Sequence, residues 1–427
     1  MGHHRLTLVA GRKPDLCMTT TKNILFISYD GMTDPLGQSQ VIPYLAGLTK
    51  WGYRFTILSC EKPAKFSHSK EYVEKILKDY PVTWVPILYH KNPPVFSTVY
   101  DVAMLQRKAG QLHARDPFDM VHTRAGIPAL IGLWMKKKLG VKFLHDMREF
   151  YADSRIDGGM WSRKNIFYNA IYRYFKMKEA HQVASADGIV CLTYAAEKII
   201  RTWPQYRKET PLKVIPCSVD MDLFDPEKID RQQKDLVARE LQLEAGDFVV
   251  SYLGSIGGWY LTDEMMQFCR SVMDRIGETK FLFISPHERG IIIDAAAKAG
   301  IPADKVIVRN ARRHEVPLLL SLSRYSVFFI KPCYSKQSSS PTKHGEIMAM
   351  GLPVITNYGV GDVAAIVEEF DSGIVLKKLD KNNYDNAAAQ LLWSTFDAQR
   401  IRSGARAFYS LDHALQKYRE VYRSILA

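Results

Sequence analysis

The sequence predicts two tandem α/β domains, each built on a doubly wound parallel sheet and facing the other across a cleft. Three observations carry this. Short apolar, β-branched runs without polar alternation recur along the whole chain, the pattern of strands buried on both faces. Helical patterns lie between them, several closing on a glycine. The alternation breaks once, at the charge-rich stretch DPEKIDRQQKDLVARELQLEAGD (225–247), and then restarts. A chain of 427 residues is too long for one core and suits two domains of about 200 residues each.

In order, NILFISY (23–29), FTILSC (55–60), VTWVPI (82–87), DMVHTR (119–124), VKFLHD (141–146), GIVCLT (188–193) and LKVIP (212–216) are the strands expected in the first domain. SQVIPYLAGLTKWG and IPALIGLWMKKKLG are helices that end at Gly52 and Gly140, where a glycine accepts the left-handed C′ conformation. FVVSYLG (248–254), FLFIS (281–285), VIVR (306–309), VFFIK (327–331), PVITN (353–357) and GIVLK (373–377) form the second set. We place the first domain at 22–217, a linker at 218–247, the second domain at 248–405, and an amphipathic C-terminal helix at 406–427 that returns across the hinge. Residues 1–21 carry no pattern and read as a disordered or tag-derived leader. Open α/β sheets bind ligands beyond the carboxyl ends of their strands, so the pair predicts a site in the cleft.

Hydrophobic residues at 47% and charged residues at 24% exclude a disordered, collagen-like or coiled-coil chain. Six cysteines without CxxC spacing argue against a zinc site and for reduced thiols in the cytoplasm. No apolar run reaches the length of a membrane span. The net charge of +13 is lopsided: residues 1–215 hold 32 Lys and Arg against 18 Asp and Glu, and the remainder holds 26 against 27. A positive field confined to one domain suggests an anionic partner such as a phospholipid surface, a phosphorylated acceptor or nucleic acid; a solvated basic face with no partner is an equal reading. Within that half, MWSRKNIFYNAIYRYFKMKEA (160–180) mixes five basic residues with aromatics, as a helix lying on an anionic membrane surface does. No nucleic-acid-reading motif is present.

The stretch SPTKHGEIMAMGLPVITN (340–357) raises a chemical question. Ser340 and Pro341 read as an N-cap and first helical residue, which sets Lys343 in the first turn against the positive end of the helix dipole. With no acidic residue in that turn, the arrangement suits an anion supplied from outside, a diphosphate being the natural candidate. Glu346, one turn on, is placed to accept hydrogen bonds from both hydroxyls of a ribose. Glycines follow the first strand of each domain, at Gly37 and at Gly254, Gly257 and Gly258, where backbone N–H groups with Ser255 can approach oxygen atoms closely. Asp220-Met-Asp222 spells a metal-chelating pattern but falls in a turn, and we expect neither metal nor cofactor.

GEIMAMGLPVITNYGVGD resembles the donor-site segment of retaining GT-B glycosyltransferases, in particular Glycosyltransferase Family 4. The similarity extends to YDGMTDPLGQSQV, FLHDMREFYADSRIDGGMW, VIPCSVDMDLF and YLGSIGGWYLTDEM, and so spans nearly all of 22–425. It implies the GT-B fold, a nucleotide-sugar donor on the second domain and an acceptor on the first. It also implies transfer with retention to a hydroxyl, which we assign to a glycan on a lipid carrier in cell-surface polysaccharide synthesis at the cytoplasmic face of the membrane. Glu346 then holds the ribose and Lys343 the leaving diphosphate, with Lys331 and Lys336 as lesser candidates. His145 resembles a residue that meets the donor sugar from the acceptor side, and Asp146, Arg148 and Asp157 are assigned to the acceptor, a structural ion-pair network being the alternative. Two departures stand out. Ser338 replaces a glutamate that normally contacts the sugar, and Gly254 to Tyr260 lacks the usual Arg and Lys. An epimerase of the same architecture or a non-catalytic glycan-binding protein are the alternatives.

Overall fold

In the computed structural model, which describes residues 21–427, two parallel sheets face each other. The first contains β1 (Lys22–Ser28), β2 (Tyr53–Glu61), β3 (Val82–Leu88), β4 (Met120–Arg124), β5 (Lys142–Met147), β6 (Gly188–Cys191) and β7 (Leu212–Val214) in the order β3-β2-β1-β4-β5-β6-β7. The second contains β8 (Phe248–Leu253), β9 (Thr279–Ile284), β10 (Val306–Arg309), β11 (Tyr325–Val327), β12 (Val354–Asn357) and β13 (Gly373–Leu376) in the order β10-β9-β8-β11-β12-β13. Strand order reverses between β1 and β4 and between β8 and β11, and each reversal opens a crevice at the carboxyl ends of the strands. The expected leader lies outside the described residues, Thr21 apart.

The strands fall where the apolar runs predict because both sheets are covered on both faces. Ile24 and Phe26 pack into one layer of the first domain and Leu25 and Ile27 into the other, all at 3% exposure or less. One strand is displaced. The run expected at 327–331 pairs in β11 only from Tyr325 to Val327, because Asn357 then takes over Ile330 with a pair of 2.9 Å hydrogen bonds to its N–H and carbonyl. The extended segment turns to bridge Tyr260, with Leu261 N–H donating to Phe329 O (3.0 Å) and Lys331 N–H to Trp259 O (2.9 Å).

The chain's end divides differently from the single helix expected over 406–427. One helix spans Ala398–Tyr409 and another Leu411–Leu426, and Ser410 caps the second by accepting the His413 N–H (3.2 Å). The last helix crosses back to the first domain as expected, where Tyr418 and Tyr422 reach Asp146 (2.9 Å) and His122 (2.7 Å). The close approach of Leu415 to Gly47, where a Cβ would come within 2.5 Å of it, seals that contact. No helix of the described residues is long and apolar enough to cross a membrane.

Candidate functional site

The carboxyl ends of both sheets line a cleft of about 340 Å³ between the domains. From the first domain come Asp30 after β1, Arg124 at the end of β4, and Arg148 and Glu149 after β5; from the second come Trp259, Tyr260, Lys336 and the segment Ser339–Thr342. The domains are stitched around it. Asp362 accepts the N–H groups of Tyr194 (2.6 Å) and Ala195 (3.0 Å), so a carboxylate of one domain sits on the start of a helix in the other. Thr193 Oγ1 donates to Gln337 O (2.6 Å).

The helix carrying Lys343 spans Thr342–Ala349, one residue later than its sequence suggests. Its N-cap is Pro341 rather than Ser340, whose hydroxyl instead accepts the Cys217 N–H (3.2 Å) from the domain junction. No side chain caps this helix and its first turn holds no acid. Lys343 is buried, and its ammonium lies over the rings of Tyr260 (3.7 Å) and Tyr252 (4.3 Å) while donating to the Tyr252 hydroxyl (3.2 Å). Burial drives its pKa down to about 7, with the charge of Glu346 opposing.

Gly254 joins this group. Its φ of +109° is open to glycine, and a Cβ there would lie 3.1 Å from Lys343 Nζ. The next two residues, Ser255 and Ile256, offer backbone N–H groups with no partner among the described residues. Gly257 donates its own N–H to Thr262 Oγ1 (2.9 Å) and is occupied in holding the turn. Glu346, also buried, accepts from Arg313 (2.6 Å), a partner the sequence reading missed because it lies 33 positions away. Burial raises the Glu346 pKa against the pull of Arg313 and Lys343.

Other assignments are relocated by the structure. Gly37 does not present its bare face to the cleft: Gly31 O would stand 2.2 Å from a Cβ there, so its smallness serves the packing of its own turn. His145 points from β5 into the layer beneath the sheet, stacked on Phe143 and 2% exposed, and is absent from the cleft lining. Burial lowers its pKa to about 4, which keeps it neutral. Asp146 faces the opposite layer, buried among Tyr418, Arg148 (3.3 Å) and His122 (3.5 Å), and its pKa is low because Arg148, His122 and Arg124 outweigh burial. Asp157 is a strut: it accepts the Ser335 N–H (2.9 Å) and its carbonyl takes Lys331 Nζ (2.8 Å), both from the other domain. Ser338 is a second strut, accepting the Phe150 N–H (3.2 Å) where the family pattern has a sugar-binding glutamate. Of the three candidate lysines, Lys336 lines the cleft, lying 3.7 Å over the Trp259 ring. Asp220 holds its own turn through the N–H groups of Asp222 and Leu223 (3.0 Å each), and Asp222 pairs with Lys228 (3.3 Å).

Comparison with known proteins gives one family. Residues 37–223 match the sequence model of Glycosyltransferase Family 4. A search of curated proteins finds no match. Among solved structures, sucrose-phosphate synthase from Thermosynechococcus elongatus superposes at a TM-score of 0.69, with 15% identity over 94% of this chain and 98% of its own. Anabaena HepE in complex with UDP-glucose gives 0.69, with 12% identity over 94% and 99%. WaaG, a glycosyltransferase involved in lipopolysaccharide biosynthesis, gives 0.62, with 14% identity over 92% and 95%. The whole chain thus has the GT-B fold of these structures, and its residues 37–223 carry the match to Glycosyltransferase Family 4.

Proposed function

We propose that this chain moves a sugar from a nucleoside diphosphate donor to a hydroxyl acceptor with retention of anomeric configuration. The observation that carries the donor half is the convergence of Lys343, Gly254 and the uncapped start of the Thr342–Ala349 helix on one point behind the cleft. A diphosphate arriving there meets an ammonium, free N–H groups and a helix dipole, all of which favour the charge that builds up on the leaving group. Glu346 takes the ribose hydroxyls, with Arg313 fixing its carboxylate. The acceptor hydroxyl oxygen bonds to the anomeric carbon on the face the diphosphate leaves, as the anomeric C–O bond to the diphosphate breaks and the hydroxyl proton passes to the departing diphosphate oxygen, with no enzyme nucleophile; the struts at Asp157, Ser338 and Asp362 hold the domains together around the site and exclude water.

For the acceptor we infer a lipid carrier. An apolar groove of about 620 Å³ lies between the helices Phe96–Arg115 and Ile166–Ser185, lined by Val99, Ile127, Trp161, Phe167, Ile171 and Tyr174 among others. Ile166 is 89% exposed and Phe167 57%, beside Arg163 and Lys164. Lys176, by contrast, is spent inward on Asp153 (2.8 Å) and Glu179 (2.5 Å). An exposed apolar rim flanked by cations suits an anionic bilayer. Screening nucleotide sugars for thermal stabilisation, then determining the anomeric configuration of the product by NMR, tests the reading. Stabilisation by none of them rejects the donor, an inverted product rejects retention, and conversion of donor alone favours an epimerase.

A further inference from the structure

Arg124 ends β4 at the strand-order reversal of the first sheet and lines the cleft. It is 5% exposed, its Nε is wholly buried without a partner, and no hydrogen bond or salt bridge to its guanidinium exists among the described residues. A buried cation without an acceptor is expensive, because burial removes water that nothing replaces. The carboxylate nearest in effect, Asp146, is already engaged by Arg148, Tyr418 and His122. His122 stays neutral, since burial lowers its pKa, and so adds no charge to the balance. Arg148 also lines the cleft, 8% exposed, and its Nε is likewise orphaned. Two guanidiniums therefore share one carboxylate. The other acids of the cleft do not close the balance: Glu149 pairs with Arg155 (3.4 Å), and Asp30 is exposed at the mouth with no salt bridge among the described residues.

We propose that Arg124 and Arg148 form an oxyanion subsite on the first-domain wall of the cleft, which takes a phosphoryl or carboxylate group of the acceptor. This rests on the glycosyltransferase reading and names the acceptor class: a hydroxyl compound bearing an acidic group close to the hydroxyl that is glycosylated. Guanidinium groups suit such a ligand because their donors match two oxygens at once. The subsite is separate from the donor's diphosphate pocket, which Lys343 and Gly254 build on the other domain.

The test uses the full chain, UDP as donor probe and inorganic phosphate as acceptor-side probe, with calorimetry and thermal melts. Phosphate is expected to bind the UDP-saturated protein, and Arg124→Gln to weaken that binding at least tenfold while leaving UDP affinity within twofold. The same variant is expected to melt no lower than the wild type without ligand, since it removes an uncompensated buried charge; Arg124→Lys, which keeps the charge and loses the fork, gives a second variant with phosphate binding weakened and UDP binding intact. Phosphate binding that is absent from the UDP-saturated protein, or equal in both variants and wild type, overturns the proposal. So does a parallel loss of UDP affinity, which assigns the guanidinium to the donor, or a lowered melt with phosphate affinity intact, which makes it structural. Failure of UDP to bind the wild type instead refutes the donor reading.

Discussion

The ammonium of Lys343 lies 3.7 Å from the centre of the Tyr260 ring, and a Cβ at Gly254 would stand 3.1 Å from it. The backbone flanking Tyr260 is pinned by hydrogen bonds to Phe329 and Lys331, so the ring, rather than the chain, is what a ligand would displace to reach the lysine. The lysine is thus held under an aromatic cover, with Glu346 as the charge that acts on it, and the properties expected of it follow from that position.

Lys343→Ala is predicted to lower kcat by about 10²-fold or more, the scale of losing one group that stabilises developing charge. Steady-state rates with a competent nucleotide sugar check it. Melting temperature is predicted to hold or rise, because the substitution removes a buried charge whose pKa is already depressed.

The pH dependence has a definite sign. In the folded chain Lys343 titrates near 7 against an ordinary value of 10.5, so between these limits the unfolded chain holds a proton that the folded chain has released. The contribution of this site to stability therefore rises as pH climbs from about 7 towards 10.5, and is at its lowest below 7. A diphosphate favours the ammonium and reverses the shift. Binding of UDP at pH 8 is predicted to take up a proton, seen as a buffer-dependent calorimetric enthalpy, and Lys343→Met is predicted to abolish the uptake.

Glu346→Ala separates ribose from phosphate. UDP affinity is predicted to fall by about 10-fold or more, the scale of losing hydrogen bonds to a charged group, while affinity for pyrophosphate stays within about threefold of wild type. Equal losses for both ligands would move Glu346 from the ribose to the phosphates.

Gly254→Ala combines a backbone at φ +109° with a Cβ 3.1 Å from Lys343 Nζ. Strain of this kind amounts to about 1–3 kcal/mol, and both the melting temperature and UDP affinity are predicted to fall. A variant with unchanged stability and affinity contradicts the close approach.

Contact with an anionic bilayer predicts that the chain sediments with phosphatidylglycerol vesicles at low salt and is released as salt rises, with Phe167→Glu weakening the attachment. No sedimentation at low salt rejects the membrane surface.

The strands were legible because parallel sheets bury both faces, leaving a run such as FVVSYL with no polar residue except Ser251. The helix behind Lys343 was legible as an element, but not its first residue: Ser340 looks like a cap until its hydroxyl is seen to serve Cys217 of the junction, a contact spanning 123 positions. Arg313 and Arg124 were invisible for the same reason, since partnership at long range, or its lack, leaves no local pattern. His145 and Asp146 show what strand geometry alone can settle. Adjacent residues of β5 face opposite sides, so the two could not have shared one pocket, and the alternation of Phe143, His145 and Met147 was already in the sequence.

The most direct measurement is a crystal structure with UDP bound. The expected result is a diphosphate within hydrogen-bonding distance of Lys343 Nζ and the N–H groups at the start of the Thr342–Ala349 helix, with the Tyr260 ring displaced and the ribose on Glu346. A nucleotide seated elsewhere, with Lys343 still beneath Tyr260, contradicts it.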